Sequence, residues 1–260
     1  MKIEKKKYDK SIFGLVGKKI SYSFSKNFFL EKFKKESIHH VTYEIFDIPN
    51  IEDILYIFKN PYLKGCNITI PYKTSVIPFL TQVMPEAKSI GSVNVVKIQN
   101  QHRRIGYNTD VLGFELSFQK DMNKFAYHEN NNTMSALILG TGGVSKSISF
   151  ILRKWKIPYK YVSRKKKNKN FIVYEELNKD LIENCKIIIN CTPLGTYPMV
   201  KLCPPLPYQY ISSYHYLYDV VYNPSKTLFL KKGEKRGAMI RNGLEMLRIQ
   251  AEESWKIWNS

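Results

Sequence analysis

Apolar residues gather in short runs along this chain, separated by polar or glycine-rich stretches. The most telling run is Ala136-Leu-Ile-Leu139, which passes through Gly140-Thr141-Gly142-Gly143 into Val144, Ile148, Ile151 and Leu152 at helical spacing. A continuous apolar run suits a parallel strand covered on both faces, and the spacing beyond it suits a helix with one buried side. Comparable runs at 12–16, 41–46, 65–70, 159–163, 186–190 and 217–221 predict further strands. Residues 93–98 and 104–107 bracket the polar stretch 99–103, a hairpin pattern. Helices are expected over 28–35, 51–58, around 75–80, and from Gly243 onward, the last with Leu244, Leu247, Ala251, Trp255 and Trp258 on one face. Residues 130–133 read as a polar loop and 204–207 as an irregular one. Strands that alternate with helices make this an α/β chain.

The glycine turn after Ala136-Leu139 narrows the picture. Gly140, Gly142 and Gly143 let the backbone turn tightly and approach a ligand, while the following helix directs its unpaired N–H groups at the turn. Phosphate is the natural occupant. A Walker loop fits Gly140 to Ser147 except that Ser145 stands at its second glycine; a dinucleotide turn fits with Ser145 as the small third residue. The next strand separates the two, because it ends about 20 residues on, where a ribose contact is expected. No carboxylate ends it; Ser163-Arg164-Lys165 does. Arg164 with Lys165 would pair with a 2′-phosphate, so the cofactor expected is NADP(H). Lys166, Lys167 and Lys169 read as a solvated basic loop without assigned partners.

Composition adds bounds. The 260 residues are 43% hydrophobic, enough for one large or two ordinary domains. No stretch nears the roughly 18 apolar residues of a membrane span, and the basic opening residues lack a signal-type apolar run. Cys66, Cys185, Cys191 and Cys203 show no metal spacing, which fits core thiols in a reducing, cytoplasmic setting. The formal charge of +19 comes from lysines scattered through nearly every segment. A nucleic-acid surface would be clustered and interleaved with exposed aromatics, so none is expected; attraction of small anions is.

Polar side chains recur where strands of the first 110 residues end. They are Ser23 and Ser25 after the first strand, Asn67 and Thr69 alternating on the third, Lys73 past Pro71, Asn94 opening the hairpin, and Asn108-Thr109-Asp110 closing it. Singly, each has an ordinary reading: a serine helix cap, a turn residue, a surface lysine. Together they would converge beyond the carboxyl ends of strands, where open α/β sheets bind ligands.

In order, the blocks Gly17-Lys-Lys-Ile-Ser-Tyr-Ser23-Phe-Ser25, Asn67-Ile-Thr69-Ile-Pro71-Tyr-Lys73, Ile90-Gly-Ser-Val-Asn94 and Gly106-Tyr-Asn-Thr-Asp110 resemble the motifs of the shikimate dehydrogenase family. So do Gly140-Thr-Gly-Gly143, Asn190-Cys-Thr192-Pro-Leu-Gly195, Asp219-Val-Val-Tyr222-Asn-Pro224 and Gly243-Leu-Glu-Met246 through Gln250, which extends the resemblance over almost the whole chain. It implies an N-terminal α/β substrate domain (1–110 with 243–260), a Rossmann-like NADP-binding domain (111–242) and a cleft between them. The activity implied is NADPH-dependent reduction of 3-dehydroshikimate to shikimate, on the route to chorismate and aromatic amino acids. Quinate tolerance with relaxed cofactor use is the alternative within this class, and a P-loop nucleotide-binding protein the alternative outside it. The resemblance makes Lys73 and Asp110 the acid–base pair. It puts Ser23 and Ser25 on the substrate carboxylate, and Thr69, Asn94, Asp110, Tyr222 and Gln250 on the ring hydroxyls or carboxylate. The cofactor would meet Gly140, Thr141, Gly142, Gly143, Val144, Ser163, Arg164, Lys165, Val220 and Gly243. The partner implied is a small-molecule substrate, with no nucleic acid or membrane and with a homodimer as the assembly allowed for. Lys19, Tyr22, Lys26, Val95, Ser163, Lys165 and Thr196 depart from the residues usual in the family.

Overall fold

All nine strands predicted from the sequence form, and they build two separate sheets. The computed structural model describes residues 11–20, 23–100, 102–125 and 134–260. The loop expected at 130–133, the basic opening residues and Tyr22 lie outside the described residues. The chain divides into two compact units, Met1–Thr109 with Glu253–Ser260, and Asp110–Glu252. Among the described residues no helix is long and apolar enough to cross a membrane.

The first unit contains β1 (Ser11–Gly17), α1 (Ser25–Lys35), β2 (Val41–Asp47), α2 (Ile54–Phe58), β3 (Leu63–Ile68), β4 (Gln82–Val83), α3 (Pro85–Ile90), β5 (Val95–Gln99) and β6 (Arg103–Tyr107). Its sheet has the order β2-β1-β3-β5-β6-β4. β1 runs parallel to β2 and β3, whereas β3, β5 and β6 are successively antiparallel, as the hairpin pattern requires. One face is sealed by aromatics. Phe29 stacks on Tyr43 at 4.4 Å between ring centroids, and Phe13 on Trp258 at 4.8 Å. The Trp258 indole also donates to the carbonyl of Val96 at 3.0 Å. It lies over Gly65, where a Cβ would come within 2.3 Å of Nε1, so only glycine fits this strand position.

The second unit contains α4 (Asp110–Phe125), β7 (Ala136–Leu139), α5 (Gly143–Lys154), β8 (Tyr159–Ser163), β9 (Phe171–Val173), α6 (Lys179–Asn184), β10 (Ile187–Asn190), β11 (Tyr216–Asp219), α7 (Leu228–Glu234) and β12 (Met239–Arg241). The last helix, α8 (Leu244–Asn259), contributes its residues through Glu252 to this unit and the rest to the first. The sheet order is β12-β11-β10-β7-β8-β9, with every neighbouring pair parallel. Counted from β7 as strand one, this is the 3-2-1-4-5-6 order of dinucleotide-binding sheets. β7, β10 and β11 are buried along their full lengths, as both-face coverage demands.

Several boundaries differ from the sequence reading. α1 begins at Ser25, so Lys26 is helical; Phe24 occupies the cap position and neither serine caps the helix. β3 stops at Ile68, which leaves Thr69 beyond the strand, although its N–H still donates to Val16 O at 2.9 Å. Only a 3-10 turn, Ile77–Phe79, forms around 75–80. β11 stops at Asp219, whose carboxylate takes the N–H of Val221. The helices α3, α4, α6 and α7 and the strands β4, β9 and β12 have no counterpart in the sequence reading. α4 gives no clear apolar periodicity because its buried face includes the polar positions Ser117 and Asp121. Ser117 shares a 2.7 Å hydrogen bond with Tyr218, and Asp121 accepts one of 2.7 Å from Tyr216 while pairing with Arg241. All four cysteines are free, Cys66 and Cys185 buried and the other two partly so.

Candidate active site

In the second unit the loops of interest leave the carboxyl ends of β7, β8, β10 and β11. From β7 the chain continues to β8 on one side of the sheet and later returns to β10 on the other, so β7 and β10 flank the switch point where such sheets bind ligands. Gly140 leaves β7 with φ +100°, and a Cβ there would lie 3.2 Å from the Thr192 methyl, in the loop after β10. Gly142 caps α5 with no side-chain bond, and a Cβ placed on it would meet nothing within 4 Å. That open, amide-lined bend is a cradle suited to a phosphate. Ser145 fits the third position because it is buried and its hydroxyl turns back to donate to Gly142 O at 2.6 Å. At the end of β11, Gly243 approaches so closely that a Cβ would lie 2.1 Å from Val220 O, which brings two expected cofactor residues side by side.

Beyond β8, Arg164 and Lys165 are exposed, and the Ser163 hydroxyl donates to Lys165 O at 2.5 Å. Tyr174 lies near Arg164; burial pushes its hydroxyl up to about 12, with the guanidinium opposing the rise. Two of the lysines read as partnerless have partners. Lys166 pairs with Glu176 at 2.6 Å, and Lys167 sits over the Phe171 ring at 5.8 Å. Thr141, Gly143 and Val144 are half-buried in the glycine turn and the first turn of α5, as is Val220 just past β11. Tyr222 follows in the same loop, and Gln250 lies on α8 with its amide donating to Leu247 O at 3.0 Å. Asp110 is buried as the first residue of α4.

In the first unit the strand directions bring the predicted residues to one edge. β5 runs against β3, so Asn94, which precedes β5, lies beside the end of β3, its carbonyl accepting from Ile68 N at 2.8 Å. β6 runs against β5, so residues 108 and 109 leave at that same edge. Asn94 is fixed there: its amide donates to the Thr109 hydroxyl at 3.0 Å, and its carbonyl oxygen accepts from Thr109 N at 2.7 Å. Lys73 is half-buried next door, its carbonyl accepting from Val93 N at 2.7 Å. Ser23 and Ser25 stand at the start of α1 with hydroxyls 3.4 Å apart. Asn67, on β3, anchors this edge by accepting from the Tyr43 hydroxyl at 2.8 Å and donating to Ser254 at 2.9 Å. Thr109 is one of the polar strand-end residues that the sequence brings forward, whereas Ser254 lies within an apolar helical stripe and gives no signal.

A six-stranded parallel sheet in this order, with a glycine turn at its switch point, defines a dinucleotide-binding α/β protein. Known proteins sharpen that class. The family model for the shikimate dehydrogenase substrate binding domain matches residues 15–96. A shikimate dehydrogenase (NADP(+)) of Methanococcus maripaludis is 37% identical over 263 residues, covering 95% of this chain and 91% of the relative. Shikimate dehydrogenase 1 of Peptoclostridium difficile superposes with a TM-score of 0.80 at 35% identity, covering 96% of this chain and 91% of that one. Another shikimate dehydrogenase, solved in complex with NADP+, also has a TM-score of 0.80, at 26% identity and covering 96% and 90%. The chain belongs to the shikimate dehydrogenase family.

Proposed function

We propose that this protein is an NADP-dependent shikimate dehydrogenase, which reversibly reduces 3-dehydroshikimate to shikimate. The observation that carries the reading is membership of the family along 95% of the chain, joined to a switch-point glycine cradle. The P-loop alternative falls with that membership. NADPH, when bound, supplies the hydride for the ketone. The glycine turn from Gly140 to Val144 would hold its pyrophosphate, Arg164 with Lys165 and Ser163 would take the 2′-phosphate, and Val220 and Gly243 would line the cofactor.

Ser23 and Ser25 hold the substrate carboxylate through their hydroxyls, and their closeness to each other supports that pairing. Thr69, Asn94, Tyr222 and Gln250 bind the ring hydroxyls or the carboxylate. Negative charge builds on the carbonyl oxygen as the ketone is reduced; the Lys73 ammonium stabilises it and delivers the proton. Asp110 is the other member of the acid–base pair and accepts from a substrate hydroxyl. Four free cysteines fit a reducing compartment, so cytoplasmic placement belongs to the same proposal.

The test crosses shikimate and quinate with NADP and NAD, on the wild type and on Arg164→Ala. Shikimate with NADP is expected to give the highest kcat/KM, and Arg164→Ala to raise KM for NADPH far more than for NADH. Faster turnover of quinate with NAD would overturn the assignment. Equal effects of Arg164→Ala on both cofactors would remove Arg164 from the 2′-phosphate site.

A further inference from the structure

One wholly buried carboxylate in the second unit has no role in the scheme above. Asp219 is the last residue of β11, and its Oδ1 accepts from the Asn190 amide and from the N–H of Val221, each at 3.0 Å. Its Oδ2 accepts from the Thr227 hydroxyl at 2.6 Å. The two side-chain donors are themselves buried junctions. Asn190 ends β10, and its carbonyl oxygen accepts from both the N–H and the hydroxyl of Thr192, at 3.0 and 2.7 Å. Thr227 caps α7 by accepting from Leu230 N at 3.4 Å. A single carboxylate therefore ties together the ends of two strands and the start of a helix.

We propose that Asp219 is a positioning residue, whose ionised carboxylate locks the loops after β10 and β11 so that Val220 and Tyr222 are presented to cofactor and substrate. This rests on the reaction proposed above. The three donors aimed at Asp219 are neutral, and an ionised carboxylate, which only accepts, satisfies all of them in the observed directions. Burial opposes that charge and pushes the group up to about 7, while the donors from Thr227, Val221 and Asn190 pull it down. Facing it are also the Cys191 thiol and the Tyr208 hydroxyl, both raised by burial and so neutral in the same range. On protonation Oδ2 becomes a donor pointed at Thr227. That hydroxyl must then turn its own hydrogen away, and the clamp on residues 220–227 loosens.

Kinetics across pH test this on the whole enzyme. Wild type is expected to show KM for NADPH, and the Kd from a fluorescence titration without substrate, rising as pH falls through about 7. Asp219→Asn should hold KM about tenfold high at every pH, with the acid limb gone and kcat changed less than KM. Thr227→Val removes a donor that favours the charged form, so it should move the limb to higher pH, and Thr227→Ser should restore it. If Asp219→Asn does not fold, the Thr227 pair decides. A limb left in place by Thr227→Val, or a normal KM in Asp219→Asn at all pH values, overturns the role of Asp219. Failure of the wild type to turn over shikimate with NADP would instead defeat the reaction assignment, so the two outcomes are distinct.

Discussion

At the scale of single residues the proposed role of Lys73 carries the largest expected effect. An ammonium beside a carbonyl oxygen gains most when that oxygen becomes negative, so its contribution belongs to the transition state more than to binding. Lys73→Ala is expected to lower kcat by about 10²–10⁴-fold, roughly 3–5 kcal/mol of barrier, while KM for the substrate changes little. Near-normal turnover in steady-state assays of that variant would show that another group delivers the proton. Asn94 illustrates what one side chain owes to its neighbours: both ends of its amide are held by Thr109, so its orientation is settled before a ligand arrives.

At the scale of elements, two glycines of the second unit make opposite predictions. Gly243 precedes α8 with no room for a methyl group, since the obstacle is the backbone oxygen of Val220 at 2.1 Å. Gly243→Ala must push the β11 loop aside, and should cost about 1–3 kcal/mol of stability together with weaker NADPH binding. Gly142 faces open space with φ −77°, a value that alanine tolerates. Gly142→Ala should therefore change stability by no more than about 1 kcal/mol, yet raise KM for NADPH, because its methyl enters the phosphate cradle. Thermal melting and NADPH titration of the pair check this. A Gly142→Ala protein with unaltered KM would mean that the cradle holds no phosphate. Helix α4 carries the complementary lesson. Asp121 is neutralised within the fold by Arg241 and hydrogen-bonded by Tyr216, so a polar residue faces inward in a helix that periodicity alone does not reveal.

At the scale of the whole molecule, charge has a kinetic consequence even without a clustered face. The formal +19 attracts NADPH and the substrate carboxylate from solution. Raising ionic strength from about 0.01 to 0.15 M shortens the screening length from about 30 to 8 Å, so kcat/KM should fall while kcat holds. Stopped-flow or steady-state measurements over that range check it, and a kcat/KM indifferent to salt would remove the attraction.

Much of this protein is local in origin and legible without coordinates. Strand positions follow from apolar runs and the glycine cradle from the spacing of Gly140, Gly142 and Gly143, because each depends on neighbours in sequence. Strand order and burial belong to the tertiary structure. Three-residue strands such as β9 and β12 exist through backbone pairing with a neighbour already in place, which no local pattern encodes. The same holds for Asp219: along the chain it is one more turn acid, and only the packing of β10 and α7 around it buries its carboxylate and aims three donors at it.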